Sequence, residues 1–313
     1  MKVTATLETI IDQVHQVSAN HYDEFIPVQE MEFDSLNQVW ISGRRAEILP
    51  SAQTLLANRL KVPLSYLSRC PAELQARNLN YWIEQERRNR DTFFCRFAGD
   101  ALRAVFTDRY VPTDNLSTLS KMLEFGFDPR AEVQFMMDAE MMVLKVPDYD
   151  RTFRLFDKDK IVPGISISNS EVGIIALSIE AFYYRLVCTN GMIVTTTVDA
   201  SRYKHISSKA MDKFHSILEQ VVSQSRNGQA RFMISIQTPV DNPERTIDAF
   251  TRQFHISKEE TEIVKKAFCL EEGATMFHII NAFTRAAQDK SLSASDSYRL
   301  EKAGGAILGM VKS

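Results

Sequence analysis

The amino-acid sequence predicts an α+β protein in which a central, mostly antiparallel β-sheet lies between N-terminal and C-terminal helical segments. Three observations predict this class: apolar residues recur at helical spacing in the first third of the chain, alternate with polar residues in the middle third, and return to helical spacing in the last third. Successive strand candidates that do not alternate with helices are typical of antiparallel pairing. We therefore place segments at residues 1–90, 91–205 and 206–313, and expect them to form one compact unit.

The first segment is predicted to be mostly helical. Its first helix is indicated by apolar residues three or four positions apart, namely Leu7, Ile10, Ile11, Val14 and Val17. Two strand-like stretches follow, at 24–33 and 38–49. Prolines then stand where three further helices begin, at Pro50, Pro63 and Pro71. The last of these helices carries the apolar residues Leu74, Leu79, Trp82 and Ile83.

The middle segment opens with a predicted β-hairpin. Residues 93–98 and 101–106 flank Gly99-Asp100, which favours a two-residue turn because glycine takes a positive φ at no steric cost. Uninterrupted pairing places one set of apolar side chains on a common face: Phe93, Cys95, Phe97, Leu102, Ala104 and Phe106. On the other face Arg96 lies opposite Arg103, and like charges in that position destabilise a sheet unless an anionic group lies over them. That group is either a carboxylate from elsewhere in the fold, the simpler alternative, or a phosphate backbone.

Further strands and helices complete the prediction. A helix at 115–125 precedes strands at 131–135, 141–146 and 161–170, and in the last of these Ile165 and Ile167 alternate with serines, which predicts a sheet face in contact with water. Asn190-Gly191 is the strongest short hairpin signal and places Cys188 opposite Ile193. Helices follow at 211–222, 246–254, 258–268 and 277–287, and a polar connector at 291–297 precedes the last helix.

Composition limits the classes of function. The formal net charge of -3 excludes a uniformly basic coat, so an anionic partner must contact clustered Arg or Lys residues. The four cysteines form no C-x-x-C pair, which predicts neither a zinc site nor a disulfide framework. The chain has no leader-like start and no run of about 18 apolar residues. We therefore expect a cytoplasmic protein without a membrane partner.

Few patterns indicate catalysis or metal binding. Four methionines fit core packing better than a cofactor site: Met136, Met137, Met141 and Met142. His205 and His215 have no third metal ligand near them in sequence, and Cys188 is predicted inside a strand, where a thiol behaves as a small apolar group. Asp157 and Asp159 resemble part of a metal-dependent nuclease site but are typical of a solvated turn. No catalytic residue, metal or cofactor is predicted.

Asn169 and Glu171 have two interpretations. Two residues apart in a strand, their side chains share a sheet face, where they either orient a ligand or hydrogen-bond a bulge at Gly173. We favour the bulge, because a lone glycine in a strand marks a bulge or a close backbone approach more often than a phosphate-binding loop.

Four stretches resemble motifs of the phage/plasmid-like protein family, which carries a domain of unknown function and occurs on phages, plasmids and other bacterial mobile elements. They are RAVFTDRYVPTDN (103–115), NSEVGIIALSI (169–179), YYRLVCTNGMIV (183–194) and NAFTRAAQD (281–289), and the resemblance spans most of the chain from Leu49 onward. The stretch SRYKHISS at 201–208 is less basic than its counterpart in many relatives. The resemblance names no reaction; it implies a bacterial host and a setting of DNA replication, recombination or defence.

We predict a non-enzymatic nucleic-acid-binding protein that favours single-stranded DNA, acts in recombination or replication, and forms a homo-oligomer. The candidate residues place cations beside aromatic rings, which suits phosphates and stacked bases: Arg96, Arg103, Arg109, Tyr110, Tyr183, Arg185, Arg202 and Lys204. The alternative for each pair is a core ring beside a surface cation, since neighbours in a strand point to opposite faces. The alternative functions are a structural or assembly protein of a mobile element, and a metal-dependent nuclease.

Overall fold

The computed structural model describes residues 2–155, 160–185, 190–194 and 229–311. The strands in these ranges are β1 (Lys2–Thr6), β2 (His21–Pro27), β3 (Met31–Phe33), β4 (Gln38–Ile41), β5 (Arg44–Ile48), β6 (Thr92–Ala98), β7 (Ala101–Thr107), β8 (Glu132–Met137), β9 (Met142–Pro147), β10 (Phe153–Arg154), β11 (Lys160–Asn169), β12 (Ser178–Arg185) and β13 (Asn190–Val194). The helices are α1 (Leu7–Val17), α2 (Pro50–Arg59), α3 (Leu64–Leu67), α4 (Ala72–Glu86), α5 (Asn115–Phe125), α6 (Gln229–Gln237), α7 (Pro243–Gln253), α8 (Lys258–Phe268), α9 (Met276–Ala286) and α10 (Ala294–Met310). Short 3-10 turns lie at Val28–Glu30 and Tyr149–Arg151.

The strands form two mostly antiparallel sheets. Sheet 1 has the order β1-β8-β9-β11-β12-β13, with β10 paired to β11, and sheet 2 has the order β2-β6-β7-β5-β4-β3. The α+β class is therefore confirmed, although the strands divide between two sheets. The predicted segment boundary at residue 90 lies between α4 and β6, and sheet 2 takes strands from both sides of it.

Each sheet has its own apolar core. One face of sheet 2 packs with residues of α2, α3 and α4, and its buried members include Leu56, Leu79 and Phe93. Sheet 1 is covered on both faces: Leu7 of α1 and Leu119 of α5 pack on one of them, and α10 lies against the other. Helices α6 to α10 share a further cluster with the edge of sheet 1.

Local signals explain several helix boundaries. Thr6 caps α1 by accepting a hydrogen bond from the Thr9 amide, and Ser257 and Glu260 form a capping box at the start of α8. Ser293, in the predicted polar connector, accepts a hydrogen bond from the Asp296 amide and so begins α10. The predicted helices at 115–125 and 258–268 are confirmed at those bounds, and the four methionines are buried as predicted.

The first hairpin departs from uninterrupted pairing. Gly99-Asp100 forms the predicted turn between β6 and β7, but the register shifts by one residue between Arg96 and Phe97, so that Arg96 pairs with Ala104 and Arg103 is the extra residue of a β-bulge. Beyond the bulge, Val105 packs in the core of sheet 2, whereas Phe106 packs on Tyr110. The prediction that Ala104 and Phe106 share the core face is therefore wrong, because a bulge reverses the alternation of the strand.

The predicted turn at Asn190-Gly191 is also wrong. Both residues lie within β13, where Gly191 pairs with Tyr184 and Asn190 pairs with Arg185. Residues 186–189, which include Cys188, lie outside the described residues. Tyr183 of β12 lies in an apolar cluster with Phe232, and core packing of this kind sets strand register as well as turn preference does.

The predicted exposure of the serines of β11 is wrong. Ser166, Ser168 and Ser170 are at most 2% exposed, because helix α10 and its neighbours cover the sheet face that the sequence predicts to be wet. Of the apolar residues noted in α4, Leu79 and Ile83 are buried, whereas Leu74 and Trp82 are 38% and 41% exposed. Of the described helices, none is both long enough and apolar enough to cross a membrane.

Candidate functional site

Arg96 and Arg103 are buried, with 4% and 8% of their surfaces exposed. The Arg96 guanidinium donates to Asp23 (Nε to Oδ1, 2.9 Å), to Asp114, and to the Glu171 carbonyl oxygen (3.1 Å). Internal acids therefore neutralise this arginine. The alternative of an internal carboxylate is confirmed, so the Arg96 guanidinium is not free for the predicted nucleic-acid contact.

Arg103 is held in the same way by Glu171. Its Nη2 atom donates to Glu171 Oε2 at 2.8 Å, and its Nη1 atom lies 2.8 Å from His21 Nδ1. The other oxygen of Glu171 accepts a hydrogen bond from the Asn115 amide at the start of α5 (2.8 Å). Burial alone would raise the pKa of Glu171, but the hydrogen bonds from Arg103 and Asn115 outweigh it and lower that pKa. The Arg103 guanidinium is therefore not free for the predicted nucleic-acid contact either.

The role of Asn169 and Glu171 follows from these contacts. Asn169 donates from Nδ2 to the Thr113 carbonyl (2.8 Å) and to Asn115 Oδ1 (2.9 Å), while Glu171 lies in the turn after β11. Gly173, in the same turn, has φ +78°, and a Cβ there would lie 2.7 Å from Phe106 Cε1. The predicted close backbone approach is confirmed. Asn169 and Glu171 hydrogen-bond Asn115 at the start of α5, and Glu171 also connects the two sheets through Arg103. These contacts take the place of the predicted hydrogen bonds to a bulge at Gly173.

Arg109 and Tyr110 differ in exposure, as adjacent residues often do. Arg109 is exposed and forms no hydrogen bond or ion pair with any residue that the structure describes. Tyr110 is 9% exposed and stacks on Phe106 with ring centroids 3.7 Å apart, and burial raises its pKa. Tyr110 is therefore a core residue, and its ring is not exposed for the predicted stacking on a base.

Tyr183 and Arg185 belong to the core around helix α9. Tyr183 is 4% exposed, and Arg185 donates to Glu271 (Nη1 to Oε2, 3.0 Å) with its guanidinium over the Phe277 ring. Arg285 of α9 donates to the other oxygen of Glu271, also at 3.0 Å. These contacts oppose a nucleic-acid role for both residues. Arg202 and Lys204, as well as Asp157, Asp159, His205 and His215, lie outside the described residues.

The motif stretches thus meet in pairs at two buried glutamates. Arg103 in the first stretch binds Glu171 in the second, and Arg185 in the third joins Arg285 in the fourth at Glu271. The six described candidate residues do not gather on one surface, and Arg109 alone among them is exposed. Residues of these motifs therefore form ion pairs between different elements of the fold.

A different surface combines cations with aromatic rings. We define the α4 face as Arg77, Tyr81, Trp82 and Arg88. Tyr81 and Trp82 are 60% and 41% exposed, and their rings meet edge to face with centroids 5.2 Å apart. Arg77 and Arg88 are exposed, and neither side chain forms a hydrogen bond or ion pair within the described part of the chain.

The sequence held one signal for the α4 face. Arg77 and Tyr81 are four residues apart, which places them on one side of a helix. Arg88 follows seven residues later, beyond the end of α4. This signal was hard to recognise among the apolar residues of the helix, because the spacing of Trp82 fits a buried position as well as an exposed one. Among the described residues no group of three or more His, Cys, Asp or Glu side chains is placed to hold a metal ion.

Comparison with known proteins identifies a family but no activity. The family model described as a domain of unknown function, DUF932, matches residues 105–303. Searches of curated proteins and of solved structures found no match. The matched range covers more than half of the chain and includes most of the motif stretches. This chain therefore belongs to the DUF932 family.

Proposed function

We propose that this protein binds single-stranded nucleic acid through the α4 face. The observation that supports this proposal is the pair of exposed rings, Tyr81 and Trp82, on α4. Arg77 on the same helix and Arg88 two residues beyond its end have no acidic partner among the described residues. Bases that are not paired offer their ring faces to such side chains, and guanidinium groups attract the phosphates between them. A duplex hides its base faces, so the single strand is the favoured ligand.

The charges around the α4 face favour an anionic ligand. Glu84 is bound by Arg87, and Glu86 is bound by Arg90 (Nε to Oε2, 2.9 Å), so these two carboxylates already have partners. Arg77 and Arg88 remain for a ligand. Because the whole chain carries a net charge of -3, binding is expected to be modest and to fall with added salt.

The motif resemblance supports a biological setting for this proposal. We propose that the protein acts in the recombination or replication of a phage or plasmid, in the cytoplasm of a bacterial host. Several copies binding side by side along one strand would make a homo-oligomer the working form.

Fluorescence anisotropy with labelled single-stranded DNA, duplex DNA and RNA tests the proposal. Replacing both rings (Tyr81→Ala with Trp82→Ala) should weaken single-strand binding by roughly 5-fold to 150-fold for each ring that stacks on a base, or about 1 to 3 kcal/mol. Trp40→Ala is the matched control, because Trp40 on β4 has the same 41% exposure as Trp82. An equal loss in the control variant, or no binding by the unchanged protein, would refute the proposal.

The salt dependence of binding tests the arginines separately. Arg77→Gln with Arg88→Gln should reduce the slope of log affinity against log salt by about 0.7 for each phosphate contact removed. An unchanged slope would mean that the phosphates bind elsewhere. Concentration-dependent self-association that needs Tyr81 and Trp82 but no oligonucleotide would favour the assembly alternative.

A further inference from the structure

The face of sheet 1 under helix α10 carries a row of polar side chains. Gln134, Lys145, Ser166 and Glu180 are paired in register across β8, β9, β11 and β12. The last three are at most 6% exposed. Buried polar groups in such a layer normally have hydrogen-bond partners, so each member requires an explanation.

A cleft opens at the β1 end of this row. Its volume is about 300 Å³, and its polar lining consists mainly of Lys2, Thr4, Gln134, Lys145, Gln288 and Glu301. This volume lies at the lower end of the range for small-molecule sites. The cleft therefore suits a small metabolite better than a polymer.

The ion pair in the cleft is only partly satisfied. Lys145 is 6% exposed, and its single hydrogen bond within the described chain goes to Glu301 Oε1. The same oxygen accepts from Gln288 Nε2 at 3.2 Å, whereas Glu301 Oε2 is buried without a partner among the described residues. An ammonium group has three donors, so two remain on Lys145 for a ligand.

A second ion pair in the same layer has a hydrogen-bond donor on each oxygen of its carboxylate. Glu180 accepts from Lys302 on one oxygen and from the Tyr298 hydroxyl on the other, at 3.3 Å. If the Lys145–Glu301 pair served only to attach α10, it would be expected to have a similar set of protein partners. The pair that borders the cleft has Gln288 as a further partner, but both donors reach the same carboxylate oxygen, and Glu301 Oε2 has no partner among the described residues.

We infer that the cleft binds a small anionic ligand, whose carboxylate or phosphate oxygens accept hydrogen bonds from Lys145 and Lys2. Lys2 stands beside the pair, and its ammonium group donates to the Asp289 carbonyl (3.0 Å) and to Ser297 Oγ (2.6 Å), which leaves one donor. The lining offers two ammonium groups against one carboxylate, and Thr4 and Gln134 add neutral donors. Burial raises the pKa of Glu301, and the neighbouring charge of Lys145 opposes that shift.

This site goes beyond the proposed function and is separate from it. The α4 face belongs to the helices that pack on sheet 2, whereas the cleft lies on sheet 1. A variant that loses binding at one of these sites can therefore still be tested for binding at the other.

Titration calorimetry with inorganic phosphate and with succinate, at constant ionic strength, tests the inference. The double variant Lys145→Met with Glu301→Leu replaces a buried ion pair by apolar groups of similar volume, which many folds tolerate. We expect saturable binding of at least one anion, its loss in the double variant, and binding roughly tenfold weaker in Lys2→Gln. Lys61→Gln, an exposed lysine that follows α2, is the matched control and should bind like the unchanged protein.

The two anions distinguish the source of the ligand. Binding of phosphate alone would indicate a phosphorylated ligand, and binding of succinate alone would indicate a carboxylic acid. Binding of both would support a general anion site. No saturable binding of either anion, or binding retained in the folded double variant, would overturn the inference.

Discussion

Arg103 is buried against Glu171, and at the scale of single residues this contact has the clearest energetic consequence. Removing one partner of a buried pair leaves the other charge without compensation, which typically costs about 3 to 5 kcal/mol. We therefore expect Arg103→Ala to lower the free energy of unfolding by that amount in urea denaturation. A mobile ligand as the partner of Arg103 would instead predict almost no loss.

An exposed pair provides the control for this prediction. Arg44 and Glu24 lie 2.7 Å apart with 56% and 39% of their side chains exposed. Pairs of that kind contribute about 0 to 1 kcal/mol, so Arg44→Ala should change stability little. Equal losses in the two variants would contradict the structural role of Arg103.

His21 makes the same cluster sensitive to pH. Burial, and then the positive charge of Arg103, lower the pKa of His21, whose neutral ring accepts a hydrogen bond from Arg103. The unfolded chain takes up this proton more readily, so the free energy of unfolding should fall as pH drops below the ordinary histidine value of 6.5. We expect urea denaturation of His21→Gln to show a flatter pH dependence between about pH 7 and pH 5.

His15 is the control for His21. It lies exposed on α1, so His15→Gln should keep the pH dependence of the unchanged protein. A flatter curve in His15→Gln, or an unchanged curve in His21→Gln, would assign the dependence to other groups.

At the scale of elements, the turn between β11 and β12 packs against β7 through a glycine. Gly173 and Gly43 have almost the same φ, +78° and +77°, but only Gly173 has a neighbour where a Cβ would lie. Gly43→Ala should therefore cost about 1 to 2 kcal/mol for the backbone alone, and Gly173→Ala should cost a further 1 to 3 kcal/mol or so for the clash with Phe106. Equal costs by thermal or urea denaturation would mean that β7 yields to the added methyl group.

Elements with local signals could be predicted from the sequence, whereas their pairing and burial could not. Helix α8 has a capping box and helical spacing, and its bounds match the prediction. The bulge at Arg103 has no such local signal. It depends on the position of Glu171, a residue distant in sequence that the Arg103 side chain contacts. The serines of β11 alternate with apolar residues, as they would on a sheet with one face in contact with water. Only the contact with α10 shows that they are buried.

The candidate site was harder to predict for the same physical reason. A tyrosine in the sequence does not show whether its ring is core or surface, as Tyr110 and Tyr81 illustrate with exposures of 9% and 60%. The sequence did indicate that Arg96 and Arg103 need an anionic partner. It could not identify that partner, because Glu171 lies 68 residues from Arg103 in the chain.

At the scale of the whole molecule, the family model covers sheet 2 only in part. The match begins at residue 105, within β7, so β2 to β6 lie outside it although they pair with β7 directly or through neighbours. Arg96 on β6 and Arg103 on β7 both bind Glu171, which follows a strand of sheet 1. These buried contacts couple the two sheets, so we expect them to unfold together.

The two tryptophans allow that coupling to be measured. Trp40 lies in β4 of sheet 2, and Trp82 lies in α4, which packs on that sheet. Most of the described helices instead pack on sheet 1 or beside it. Tryptophan fluorescence therefore reports on sheet 2, and far-UV circular dichroism reports mainly on the rest. For the unchanged protein the two urea transitions should coincide, as they do when a protein unfolds in one step.

Arg103→Ala should separate those transitions, because it removes the charge that attaches sheet 2 to Glu171 while leaving the core of sheet 1 intact. The fluorescence midpoint should then fall below the circular dichroism midpoint, and Arg44→Ala should keep them together. Separate midpoints in the unchanged protein would show that the buried ion pairs do not couple the sheets. Coincident midpoints in a destabilised Arg103→Ala would place the coupling in other contacts between them, such as that of Gly173 with Phe106.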